Sequence, residues 1–315
     1  MKRVVLLFAM FLLCSLAPFA EAPGFSLDPG WPKMPEGWKF RMVSNIAGDS
    51  KGRIYVAHRG EHPVVYFDKT GKFLGSLGDN VLKQSVNYNL TVNPPIPISR
   101  EYWAHGLHAD PWDNVWVTDL GRQVVMKFSR DGKLLMTLGT LDQSGESPKN
   151  FHQPSSVAVA PSGDIYVADG YGNSRVVKFS PDGKYLKAWG KKGSGPGEFD
   201  TPHGIAVDAK GNVYVAERLN NRIQVFDSEG RFLTQWPNYS RADSIFITRK
   251  GQAYVGTGKG DIYKLDLSGR LLQTIGTEKA LGYPHGIFVD SEGSLYIADP
   301  IANSASQPPR RFVKK

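Results

Sequence analysis

The chain has 315 residues, 41% of them hydrophobic and 22% charged, a balance that excludes a disordered polypeptide and leaves room for a large core. Its 34 glycines and 21 prolines favour a turn-dense β protein. The net charge of +8 is scattered over turns such as "RDGK", "PDGK" and "SEGR" rather than gathered in a stripe, which excludes a nucleic-acid reader and leaves only a bias toward small anionic ligands.

In chain order, residues 1–22 read as an export signal. Lys2 and Arg3 precede an apolar stretch from Val4 to Leu16, and Ala20-Glu21-Ala22 forms a small-x-small cleavage site. The short apolar core favours a cleaved signal over a retained anchor. The expected location is secreted or periplasmic, with no membrane insertion after cleavage. Cys14 is the only cysteine and falls inside the signal, so the mature chain has no disulfide to hold it together.

Residues 23–37 form an N-terminal segment, and residues 38–315 carry six related stretches: "NIAGDSKGRIYVAHRG" (45–60), "GLHADPWDNVWVTDLG" (106–121), "SVAVAPSGDIYVADGY" (156–171), "GIAVDAKGNVYVAERL" (204–219), "SIFITRKGQAYVGTGK" (244–259) and "GIFVDSEGSLYIADPI" (286–301). Each reads as strand, tight turn, strand, and most are followed by two more strands. Four hairpin-linked strands repeated at about 40 to 60 residues are the signature of propeller blades. The expected fold is all-β, a six-bladed propeller of four-stranded antiparallel blades. "RRFVKK" supplies a third strand to the last blade, and "WKFRMV" (38–43) is expected to complete it and close the ring. The Pro-rich stretch 89–103 is an insertion at the rim between blades 1 and 2.

The blades align on Gly52, Asp113, Gly163, Gly211, Gly251 and Gly293. Eight positions earlier stand Ser44, His105, Ser155, His203, Asp243 and His285, so histidine occupies alternate blades. Three imidazoles from alternate blades should converge at one mouth of the channel, and three neutral imidazoles make a zinc site with one position open. Seven residues after the aligned turn stand Arg59 in blade 1 and Arg218 in blade 4, with Tyr171 one position further along in blade 3. Antiparallel pairing puts all of them on the histidine face. His58, His62, His108 and His152 fall off the aligned position and read as packing or supporting residues.

The motifs "HRGEH" (58–62), "HGLHADPWDNVWVTD" (105–119), "DGYGNSR" (169–175), "PHGIAV" (202–207), "ERLNNRIQ" (217–224) and "YPHGI" (283–287) together resemble the NHL-repeat propellers of the peptidyl-α-hydroxyglycine α-amidating lyase family. The resemblance implies a zinc held by His105, His203 and His285, a catalytic Tyr171 and active-site Arg59 and Arg218. It implies release of glyoxylate and an amide from a small peptide or similar N-acyl-hydroxyglycine, without a redox cofactor, and functional coupling to a glycine α-hydroxylating monooxygenase. It also implies a calcium bound by the backbone carbonyls of Ile46 and Leu107, but Gly286 stands where the family's calcium-binding aspartate belongs. Gly172 replaces a family cysteine, and Tyr283 a methionine usual near the zinc. Two other classes stay open: a metal-dependent, lactonase-like hydrolase, for which the aligned ring offers only Asp243 as carboxylate, and a noncatalytic binding propeller.

Overall fold

In the computed structural model, which describes residues 24–89, 94, 96–276, 281–300 and 308–315, the aligned stretches become the two inner strands of six four-stranded antiparallel sheets. Blade 1 runs Val43–Gly48, Ile54–His58, Val64–Phe67 and Phe73–Leu77. Blades 2, 3, 4 and 5 repeat that order from Ala104, Pro154, Pro202 and Ala242. The propeller expected from the repeats is the observed fold. Residues 1–22, read as the export signal, lie outside the described residues. Among the described residues no helix is long and apolar enough to cross a membrane.

In blades 1, 2, 4 and 6 the inner hairpin owes its shape to an Asp three positions before the aligned turn residue. Asp49 Oδ1 accepts the backbone N–H groups of Lys51 and Arg53, and its Oδ2 accepts the Tyr55 hydroxyl. Asp110, Asp208 and Asp290 do the same, with Trp116, Tyr214 and Tyr296 as the aromatic partners. A side-chain carboxylate thus satisfies turn donors that would otherwise be lost on burial. The second strands are buried along their whole length in blades 1 to 4, which is why they read as unbroken runs of Val, Ile, Tyr and Ala. The core is divided into six clusters, each filling the gap between two neighbouring blades.

The closing strand is not the one expected. Blade 6 comprises Gly286–Val289, Leu295–Ala298 and Arg310–Lys314, and its fourth strand is Phe25–Asp28, paired in register Phe25↔Lys314 to Asp28↔Arg311. Residues 38–43 cannot reach that edge, because Val43 already opens the innermost strand of blade 1. Their aromatic rings turn instead onto blade 1: Trp38 stacks on His62 at 3.4 Å and Phe40 packs edge-on against His58. Phe25 joins Phe312 in the cluster between blades 5 and 6, so closure is fixed by apolar burial as well as by the ladder. Trp31, buried against Phe67 of blade 1 and Tyr296 of blade 6, seals the seam.

The rim insertion is a two-stranded hairpin, Ser85–Asn89 with Ile96–Glu101.

Candidate metal centre

Each aligned position from Ser44 to Asp243 coincides with a break in the pairing of the first and second strands. Partners skip between Val43 and Asn45, Ala104 and Leu107, Pro154 and Ser156, Pro202 and Gly204, and Ala242 and Ser244. A bulge takes the residue out of the ladder and re-aims its side chain. In blade 6, His285 stands just before the first strand, its N–H donating to Ala298 O at 3.1 Å. The bulges at His105 and His203 and the strand entry at His285 bring the three side chains to one buried point, their ligand atoms all within 4.8 Å of one another. The three rings stand roughly at right angles, with centroids 4.7 to 5.0 Å apart.

The odd blades supply what holds those rings. His105 Nδ1 donates to Ser155 O at 2.7 Å, His203 Nδ1 to Asp243 O at 2.6 Å and His285 Nδ1 to Ser44 O at 2.7 Å. Every acceptor is the residue aligned with histidine one blade further round. Nδ1 therefore carries the proton, and the Nε2 lone pairs face inward, as a metal requires. Serine hydroxyls brace the strands from the other side: Ser44 to Ala104 O, Ser155 to Pro202 O and Ser244 to Pro284 O, at 2.7 to 2.9 Å. Burial pushes all three imidazoles far toward neutrality, with His285 down to about 3 by burial and then by the Arg218 charge. Three neutral, oriented imidazoles fit a borderline-soft divalent cation.

Tyr171 reaches the same point. Its hydroxyl lies 3.1 Å from His105 Nε2 and 2.8 Å from His203 Nε2. Two glycines explain the placement: a Cβ on Gly170 would sit 1.7 Å from Pro202 O, and one on Gly172 would sit 2.2 Å from the His152 ring. Only bare backbone lets the loop lean this far onto blade 4. Arg218 Nη2 donates to His203 Nε2 at 2.7 Å, and its Nε is bound by the Asp243 carboxylate. Tyr283 also donates to Asp243. Burial works against the Arg218 charge, but Tyr171, Asp243 and Tyr283 raise its pKa above the usual range.

Arg59 approaches from the other side of the mouth. Its guanidinium lies 3.8 Å over Trp103 and its Nη1 3.5 Å from Glu101. Burial lowers its pKa, opposed by Glu101 and Tyr171. The same structure places His58, His62, His108 and His152 away from the three-histidine point, which alone gathers three metal-ligating side chains among the described residues. Sequence reasoning passes over the backbone acceptors of Ser44, Ser155 and Asp243, and marks Tyr283 only as a departure from the family pattern, not as a partner of Asp243. The only available signal was the strict alternation of histidine with Ser or Asp around the ring.

Ile46 and Leu107 line the channel below the histidines, a cavity of about 110 Å³. Gly286 brings no carboxylate there, and the space its Cβ would need is held by Asn45 Oδ1 at 2.7 Å, which accepts the Ile46 N–H. The donor set implied for calcium is therefore incomplete, and no chemistry below draws on that ion.

Fold and site define the class: a six-bladed β-propeller with three histidines converging at one mouth of its channel. A family model described as a 6-bladed beta-propeller matches residues 146–236. The chain is 32% identical to peptidyl-glycine alpha-amidating monooxygenase B of Xenopus laevis, over 91% of this chain and 36% of that protein. It is 38% identical to peptidyl-alpha-hydroxyglycine alpha-amidating lyase 1 of Drosophila melanogaster, over 46% of this chain and 29% of that one. It thus spans about a third of the length of these relatives. Among solved structures, a gluconolactonase from Xanthomonas campestris superposes with a TM-score of 0.62 at 16% identity, covering 88% of this chain and 87% of that one, a likeness of fold alone. The chain is a six-bladed propeller related in sequence to the peptidyl-α-hydroxyglycine α-amidating lyases.

Proposed function

We propose that the protein is an exported, zinc-dependent lyase that cleaves the C-terminal α-hydroxyglycine of a peptide or similar N-acyl substrate. The products are an amide and glyoxylate, and the substrate is supplied by a glycine α-hydroxylating monooxygenase. The observation that carries this reading is the Tyr171 hydroxyl at hydrogen-bond distance from the inward nitrogens of two of the three histidines.

His105, His203 and His285 would hold the zinc, which supplies Lewis-acid stabilisation of negative charge on oxygen. The Tyr171 oxygen takes the proton of the substrate α-hydroxyl. The electron pair of that O–H bond becomes the second bond of the glyoxylate carbonyl, the carbon–nitrogen bond breaks, and the departing amide nitrogen receives a proton. Arg59, held flat on Trp103, pairs with the substrate carboxylate through charge-assisted hydrogen bonds. Arg218, fixed by Asp243, brings a second positive charge beside Tyr171. A lactonase-like site would call on a carboxylate ligand, and the one candidate, Asp243, is already taken by Arg218 and Tyr283.

Glyoxylate release from a short hydroxyglycine-terminated peptide tests the reading, together with elemental analysis. Wild type should hold about one zinc per chain and turn over above the spontaneous rate. Tyr171→Phe should keep the metal and lose about 10²–10⁴-fold in rate, the usual contribution of a general base. Metal content unchanged in a His105→Ala, His203→Ala, His285→Ala variant would sink the zinc site. No rate above background in metal-loaded wild type would sink the lyase.

A further inference from the structure

One buried carboxylate serves both a histidine of the metal centre and the cation beside it. Asp243 stands at the aligned position of blade 5, and its backbone oxygen accepts the His203 Nδ1 proton at 2.6 Å. Its side chain points the other way, with Oδ1 on Arg218 Nε and Oδ2 on the Tyr283 hydroxyl. The main chain of Asp243 thus orients a ring, and its carboxylate places a guanidinium. A change of side chain alone separates the two tasks.

Two arginines are within reach of that carboxylate. Arg218 bonds to Oδ1, and Arg241 Nε lies 3.6 Å from Oδ2, just beyond hydrogen-bond distance. What stands between Arg241 and Oδ2 is the phenol of Tyr283, which among the described residues alone donates a hydrogen bond to that oxygen. The phenol is rigidly held. Tyr283 is buried, its N–H donates to Asp299 Oδ2 at 3.0 Å, and its carbonyl accepts the His285 N–H at 2.8 Å. Asp299 is tied in turn to Arg310 at 3.1 Å, and the Arg241 guanidinium lies 5.3 Å over the Tyr283 ring. Without the hydroxyl, a buried carboxylate oxygen would lack a donor and face a cation. The carboxylate would then turn outward to Arg241, which is half-exposed, and release Arg218. Arg218 lies 5.4 Å over the Tyr171 ring and reaches His203 Nε2 at 2.7 Å, so its release would remove a positive charge from beside Tyr171.

We propose that Tyr283 and Asp243 are positioning residues of the lyase reaction. Tyr283 occupies the oxygen for which Arg241 competes, and this keeps the other oxygen of Asp243 on Arg218 and the guanidinium beside Tyr171. Neither side chain touches the reacting atoms, and both act through Arg218. This assignment rests on the lyase reading and adds to it the brace that holds the second positive charge.

Tyr283→Phe tests the brace, since it keeps the ring under Arg241 and removes only the hydroxyl. Its zinc content should equal that of wild type. For glyoxylate release, kcat should fall about 10-fold, the scale of one hydrogen bond to a charged group. KM should stay within about 2-fold, because Arg59 pairs with the substrate carboxylate and keeps its charge-assisted contact. In an Arg218→Ala background the same substitution should change nothing further, as expected for a residue that acts only through Arg218. A second readout needs no turnover: phenylglyoxal labelling of Arg218 in the zinc-loaded protein, followed by peptide mass spectrometry. Arg218 should label slowly in wild type and several-fold faster in Tyr283→Phe and Asp243→Asn. An unchanged kcat in Tyr283→Phe, a further full loss in the Arg218→Ala background, or labelling no faster than in wild type overturns the proposal. Faster labelling in the variants of a protein whose wild type releases no glyoxylate would keep the brace on Arg218 and remove the lyase reading.

Discussion

Blades 3 and 4 and blade 2 solve the same problem differently. In blades 3 and 4 the last residue of the second strand is a buried acid paired across the ladder with an arginine: Asp169↔Arg175 and Glu217↔Arg222. Arg175 Nε binds Asp169 at 2.9 Å and Arg222 Nε binds Glu217 at 2.6 Å. Each guanidinium then spends its other donors on carbonyls of the incoming loop, Glu146, Ser147 and Asn150 for Arg175, and Ser194, Gly195 and Glu198 for Arg222. One side chain thus clamps blade to loop. In blade 2 the acid is Asp119, but the residue opposite it is Val124.

What enters blade 2 is the rim hairpin, and its tie is aromatic. Trp103 is buried, donates its Nε1–H to Ser85 O at 3.0 Å, and packs over Gly121, where a Cβ would come within 2.7 Å of its ring. The outer face of the same indole carries Arg59. Where the repeat gives up its ion clamp, the substitute fastening positions a residue of the site. In blades 3 and 4 the fastening reaches only the loop.

The largest effect should come from breaking a clamp. Arg222→Ala leaves Glu217, fully buried, without its cation and strips three carbonyls of a donor. Removing one partner of a buried pair costs about 3–5 kcal/mol. Urea unfolding should show that loss while glyoxylate release per folded molecule stays at the wild-type value. A loss of activity without a loss of stability would undo the comparison, because the clamp would then belong to the site.

Trp103→Ala should cost a similar or slightly smaller amount, about 3 kcal/mol for an indole removed from a core. Its signature differs, since Arg59 loses the ring beneath it. KM for the hydroxyglycine substrate should rise several-fold at this position alone, on the scale of a cation–π contact of about 1 kcal/mol. KM unmoved in the folded variant would mean that Trp103 is a fastening and nothing more.

These differences bear on what could be read before the structure. The blades were legible because the turn residues and the buried second strands recur in register, and that register puts histidines 105, 203 and 285 at the same end of alternate blades. The bulge that aims His105 and His203 leaves no mark in residue identity, because it is a mismatch between strands. The carbonyls that orient the rings belong to Ser44, Ser155 and Asp243, and backbone acceptors carry no sequence signature. Ring closure was misread for a related reason: "WKFRMV" alternates more strongly than "FSLD", but pairing is decided by which segment can reach the edge of blade 6.

The subtlest expected effect lies at Asp119, because it shows only as a slope with pH. Burial pushes this carboxyl up to about 7 from an ordinary 3.8, with the Arg122 backbone N–H and the Arg122 charge only partly opposing it. Below the ordinary value both folded and unfolded chains hold the proton. Between 3.8 and about 7 the unfolded chain releases it and the folded one keeps it, so stability falls as pH rises through that window and levels off above it. Asp119→Asn removes the titration and keeps an acceptor for Arg122. Its melting temperature relative to wild type should therefore climb from about pH 4 to about pH 7 and then stay constant. His58 and His108, held down to about 4 by burial, act the other way. Their unfolded forms take up protons as pH drops below the usual 6.5, which destabilises the fold toward acid pH. They do so equally in both proteins, so the difference between wild type and variant isolates the carboxyl. A flat difference curve would mean that Asp119 is already ionised in the fold and that blade 2 has found a counter-charge elsewhere, which would bring it back into line with blades 3 and 4.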